Sequence, residues 1–201
     1  VAYGTATLPA EYRAIAQLHA GGEPAGYVAE AGGTAPEQVV VFCGTGTSLR
    51  WYDDLDVAFE AFAGGRVCAG YLRRYETLRG LDAIRAPYVL VGHGIGGALA
   101  TVHVMAVAAA RRPLPREVYT FGSPRVGDAA FVAGYDALGT ATWRIANHRD
   151  LTQRIPAADY GLEHVAAGIR VDSLGRAPLD HGGTHAMRTY LRLLEAGTSG
   201  P

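Results

Sequence analysis

Apolar positions fall along the chain in two patterns. Unbroken apolar runs at 39–42 (VVVF) and 87–92 (PYVLVG) leave no polar face and suit strands buried on both sides, the kind that belong to parallel sheets. Residues 26–30 form a further strand candidate ahead of the first run. Residues 96–112 continue past the second run as a helix with almost no polar side, which must be buried. Further strands are expected at 117–122, 141–147 and 168–172, separated by a helix-like stretch at 128–138 and a loop at 150–163. Helical spacing of Ala10, Tyr12, Ile15, Ala16 and His19 after Pro9 predicts an amphipathic helix ending at Gly21-Gly22. A short surface helix is expected over 51–63, another helix over 67–81, and a last one over 185–195 with Thr184 as N-cap and Gly197 as stop. Strands alternating with helices predict an α/β class with a mainly parallel sheet. No repeat, linker or low-complexity tract divides the 201 residues, so one domain is expected over 1–201.

Composition narrows the partners. The chain is 49% hydrophobic with mean hydropathy +0.06, enough for one sizeable core. A net charge of −1 and a pI near 6.7 give no basic face, which argues against nucleic acid as a partner. All eighteen cationic side chains are arginine, a bias that fits codon usage better than phosphate binding. No apolar run reaches the roughly 18 residues needed to span a bilayer, Thr101 and His103 interrupting 95–110, so stable membrane insertion is not expected. The sequence opens at Val1 without a methionine or a charged-then-apolar leader, as after removal of a signal peptide or trimming of the ends, which leaves a secreted and a cytoplasmic location both open. Cys43 and Cys68 allow one disulfide or two free thiols and are too few for a metal site of known spacing; no motif calls for a cofactor.

The most specific motif is Gly92-His93-Gly94-Ile95-Gly96-Gly97-Ala98-Leu99-Ala100, between a buried strand and a buried helix. This is the context of a nucleophile elbow, where a strained residue sits on a sharp strand-to-helix turn and glycines two positions to either side let the elements approach. The same turn could cradle a phosphate, but the chain has no lysine to neutralise one.

Five further segments join it in order: 39–55 (VVVFCGTGTSLRWYDDL), 67–71 (VCAGY), 120–128 (TFGSPRVGD), Asn147-His148-Arg149-Asp150 running on to Ile155-Pro156, and 184–190 (THAMRTY). Together the six resemble the class 3, fungal-type lipases over most of the chain. The resemblance implies an α/β-hydrolase fold with a short lid, and a lipase or esterase activity on a small acyl or hydrophobic substrate. The family's elbow reads Gly-His-Ser-Leu-Gly-Gly-Ala-Leu-Ala, so Gly94 stands at the nucleophile's position. Its triad order implies Asp150 as acid and His185 as base, with oxyanion donors from Thr45 and the Ile95 N–H. Trp51, Leu55, His93 and Ser123 fall at positions suited to line the substrate site. Each has a plainer reading. Asp150 could cap a turn, His181 competes with His185, His93 and His164 could be structural, and Trp51 could belong to the core of the lid. Ser123 could replace the nucleophile but does not sit on an elbow. Cys43 and Cys68 depart from the family's usual arginine and histidine, as in a natural remodelling or a sulfur bridge.

Three functions therefore stay open: an ester hydrolase scaffold without its nucleophile, a non-hydrolytic enzyme using Asp150 and His185 as a general base in an elimination, cyclisation or isomerisation, and a catalytically dead binding domain.

Overall fold

The computed structural model describes residues 8–33, 36–44 and 55–198. Its frame is an eight-stranded sheet in the order β10-β9-β8-β7-β3-β2-β1-β6. Strands β3 (Gln38–Phe42), β7 (Tyr88–His93), β8 (Glu117–Phe121), β9 (Ala141–Asn147) and β10 (Gly168–Val171) run parallel. β2 (Glu23–Ala31), β1 (Tyr12–Ala20) and β6 (Leu78–Arg79) extend the sheet antiparallel beyond β3. A separate hairpin joins β4 (Phe59–Phe62) to β5 (Gly65–Cys68).

One face of the sheet carries α1 (Ala69–Glu76), α2 (Ile95–Ala109) and α3 (Ala129–Ala137). Leu90 of β7, Val40 and Phe42 of β3, and Leu99 and Val102 of α2 lie fully buried in the core between them. α2 is covered on nearly every side, as its lack of a polar face requires. On the other face, Tyr190, Met187 and Leu194 of α5 (Met187–Thr198) pack on Phe121 and Ile145.

The first expected helix is a strand. β1 pairs with β2 from Tyr12↔Ala31 to Ala20↔Glu23, and Gly21-Gly22, both at positive φ, form the two-residue hairpin turn. Ala16, Leu18 and Ala20 point inward at every second position, a period that the alanine-rich stretch hides among helical spacings. The expected helix over 51–63 also fails: 51–54 lie outside the described residues and Phe59–Phe62 is β4. Likewise 67–81 opens as a strand and turns helical only at Ala69, where Cys68 is the N-cap.

The last expected helix is broken in two. α4 (His181–His185) is capped by Asp180, whose side chain accepts a hydrogen bond from the Gly183 N–H at 2.6 Å, and α5 follows after Ala186 at φ −59°, ψ 134°. Thr184 is therefore not an N-cap; it lies inside α4 and its hydroxyl donates to the Asp180 carbonyl at 3.0 Å. Gly197 lies within α5 and does not stop it. Both cysteines are free and buried, so there is no disulfide. Cys43 follows β3, while the Cys68 thiol donates to the Asp56 carbonyl at 3.2 Å. Burial pushes the Cys43 thiol up to about 11, which keeps it protonated near neutral pH.

Candidate active site

At the C-terminal end of β7 the chain turns within one residue. Gly94 has φ 58° and ψ −126°, a region almost closed to side chains, and α2 begins at Ile95. Its N–H donates to the Phe121 carbonyl at 2.9 Å and its carbonyl accepts from the Gly97 N–H at 2.9 Å, fixing the turn from both ends. A Cβ on Gly96 would stand 2.1 Å from the Phe42 carbonyl oxygen, and one on Gly92 2.4 Å from that of Gly96. Strand and helix meet this closely only because both positions lack side chains.

The loop after β9 brings Asp150 to the same edge. Asn147, fully buried, ties that loop to α4: its side-chain amide donates to the Thr184 carbonyl at 2.8 Å and to the Ser173 hydroxyl at 3.0 Å. Asp150 is itself fully buried. Its Oδ2 accepts from His185 Nδ1 at 2.7 Å and from the Tyr190 hydroxyl at 2.5 Å, and its Oδ1 from the Thr152 N–H at 2.9 Å. Burial alone would raise this carboxyl. The hydrogen bond and charge of His185, with the Tyr190 and Thr152 bonds, outweigh it and hold Asp150 below the usual carboxylate range. Burial first, and the charge of Asp150 second, push Tyr190 well above the ordinary phenol value, so it remains a donor.

His185 is the last residue of α4. A carboxylate can only accept, so Nδ1 carries a proton, and in the neutral ring Nε2 presents its lone pair. That lone pair faces the elbow: a Cβ on Gly94 would lie 2.7 Å from Nε2. The ring is stacked between His93, centroids 4.4 Å apart, and His181, 5.0 Å apart. His93 Nε2 donates to the His185 carbonyl at 2.7 Å, and burial, then the charge of His185, pushes His93 down to about 4, so it stays neutral. His181 takes the stacking place while His185 takes the bond to Asp150.

The structure thus brings Gly94, Asp150 and His185 together and sets His93 behind them. Ile95 opens α2, where a helix's first N–H groups have no acceptor within the helix. Leu55 lies half-buried against Gly70, and Ser123 is buried against Gly97 with its hydroxyl donating to the Pro124 carbonyl at 3.3 Å. Thr45 and Trp51 lie outside the described residues. The sequence reading did not single out Tyr190 as a site residue, although it closes the 184–190 motif and sits five positions after His185. His103 and His164 lie elsewhere: His103 bonds Tyr75 at 3.0 Å, and His164 donates to the Gln153 carbonyl at 2.8 Å.

The model of the lipase (class 3) family matches residues 39–160, from β3 through the elbow to just past Asp150. The chain belongs to the class 3 lipase family. Within this class 3 lipase match lie Gly94 and Asp150, while His185 follows it. A lipase of Rhizomucor miehei is 28% identical over 141 residues, covering 62% of this chain and 39% of that protein. A phospholipase A1 of Oryza sativa subsp. indica is 33% identical over 119 residues, covering 54% of this chain and 26% of its own length. The chain therefore spans well under half the length of these relatives. Among solved structures, the lipase from Rhizopus microsporus var. chinensis superposes with TM-score 0.66 at 22% identity, over 81% of this chain and 61% of that one. The mainly parallel sheet flanked by helices is the α/β-hydrolase fold. Among the described residues no helix is long and apolar enough to cross a membrane.

Proposed function

We propose that the chain is a carboxylic ester hydrolase scaffold of lipase type in which Asp150 and His185 hold the acid and base positions and Gly94 stands where the nucleophilic serine belongs. One observation carries this reading: the His185 Nε2 lone pair, oriented by Asp150, is aimed at a residue with nucleophile-elbow backbone angles and no side chain. A serine at that place would give its proton to Nε2 as its oxygen attacked an acyl carbonyl, and the Ile95 N–H, with Thr45, would stabilise the oxyanion. Glycine offers no oxygen, so an acyl-enzyme cannot form. The substrate class is a small acyl ester or another hydrophobic molecule.

Gly94→Ser tests the reading. The expected result is hydrolysis of short acyl esters well above the unmodified chain, lost by about a hundredfold or more when His185→Ala is added. Stability should fall at the same time, by about 1–3 kcal/mol, because φ 58° strains any side chain and the His185 ring must give way to the new Cβ. Background hydrolysis in a folded Gly94→Ser variant contradicts the proposal.

A second reading, a non-hydrolytic enzyme with His185 as general base, is favoured by the closeness of that ring: Nε2 occupies room that a serine-bearing elbow needs. A proton-abstraction activity of the unmodified chain, abolished by His185→Ala, would establish it in place of the first.

A further inference from the structure

On the edge of the sheet away from Gly94, a cavity of about 560 Å³ opens between β9, β10 and the chain that links them. Ile145 and Val171 point to the α5 face, so the alternate residues Arg144 and Arg170 point to the opposite one, into this cavity. Arg125 and Arg154 complete a set of four arginines, His148 and His164 join the wall, and among the described residues no carboxylate lines it.

What sets these four apart is that they line one cavity together. Arg13, Arg66, Arg73, Arg116 and Arg149 each pair with an aspartate or glutamate. Among the described residues none of the four cavity arginines has such a pair. Backbone carbonyls hold them in place: Arg125 donates to the carbonyls of Arg154 at 2.6 Å and Pro156 at 2.7 Å, and Arg154 to that of His148 at 3.2 Å. Gly168 leaves room for the Arg144 guanidinium, since a Cβ there would lie 2.5 Å from Nη2. Burial, then the charges of Arg170 and Arg125, lowers the proton affinity of Arg144. Like charges held together around an open space lower their energy by taking an anion, and planar guanidinium forks match the oxygens of a phosphate group.

We propose that this cavity binds a phosphate-type oxyanion, either free or as the headgroup phosphodiester of a lipid. Because 148–154 forms one wall, the bound anion also braces the loop that carries Asp150. The site involves neither Gly94 nor His185, so it stands or falls apart from the hydrolase reading.

Calorimetric titration and thermal unfolding of the chain at pH 7.5, with inorganic phosphate compared against sodium chloride at equal ionic strength, test it. Phosphate should bind and raise Tm where chloride does not. The double variant Arg154→Gln/Arg170→Gln, on two exposed side chains whose loss leaves the core intact, should weaken binding by about tenfold or more. Cosedimentation with phosphatidylcholine vesicles, with and without phosphatidylglycerol, separates the sources. Retention that the double variant loses assigns a lipid headgroup; phosphate binding without retention assigns a free anion. Equal effects of phosphate and chloride, or binding by both sources that the double variant leaves unchanged, overturn the proposal.

Discussion

Asp150 is a fully buried carboxylate whose proton stays off because three donors surround it, and one of them, Tyr190, touches nothing that would react. In the proposed site Tyr190 would act as a positioning residue. Tyr190→Phe removes the 2.5 Å bond while keeping the ring against Phe121, and it should cost about 1–2 kcal/mol of stability in denaturant unfolding. In the Gly94→Ser background it should also move the acid limb of the pH–rate profile, which a purely structural loss would leave in place. The meeting of Asp150 and His185 beside Gly94 was legible in the sequence because each sits in a motif that follows the family's order along the chain. Tyr190 was not, since a buried tyrosine on a helix looks like any other core residue until its hydroxyl is seen against the carboxylate. The approach of the His185 ring to Gly94 was equally hidden: a missing side chain leaves no trace of what moves into its space.

At the scale of elements, the continuous apolar runs located β3, β7 and α2, because an element buried all round has no polar positions to blur its limits. The exposed elements misled. In β1 alanine and isoleucine satisfy periods of two and of 3.6 alike, and the glycine pair that closes a hairpin also looks like a helix stop. At the other end, the periodicity over 185–195 gave no sign of the break at Ala186 that ends α4 at His185 and lets its ring turn toward Gly94. α4 has only five residues and depends on its cap. Asp180→Ala should lower Tm by about 2–4 °C, the equivalent of about 1 kcal/mol, and in the Gly94→Ser background should reduce turnover by loosening His185. An unchanged Tm would show that Asn147 and the histidine stack hold α4 without the cap.

Across the whole molecule, buried and half-buried neutral histidines tie stability to pH. Burial, ahead of nearby positive charge, pushes His93, His103 and His164 down to about 4 each. Unfolded, each would titrate near 6.5. Between those values the unfolded chain binds protons that the folded chain refuses, so their contribution is complete above about pH 6.5 and is lost as pH falls toward 4. Each histidine adds about 1.4 kcal/mol per pH unit within that window. Below it the lowered carboxyl of Asp150 continues the trend, its contribution being lost as pH falls through the folded value. Denaturant midpoints at pH 7.5 and 5.5 should show a clear drop, and a flat profile would contradict the burial of these rings. The central claim is narrower: we propose that on the α/β-hydrolase frame Asp150 and His185 hold the acid and base positions, and that the missing nucleophile's place is Gly94. Covalent labelling with a fluorophosphonate, located by mass spectrometry, tests it most directly. The account predicts no label on the unmodified chain and a single label at position 94 of the folded Gly94→Ser variant, lost with His185→Ala; a label at Ser123 of the unmodified chain, or none on the folded variant, would contradict it.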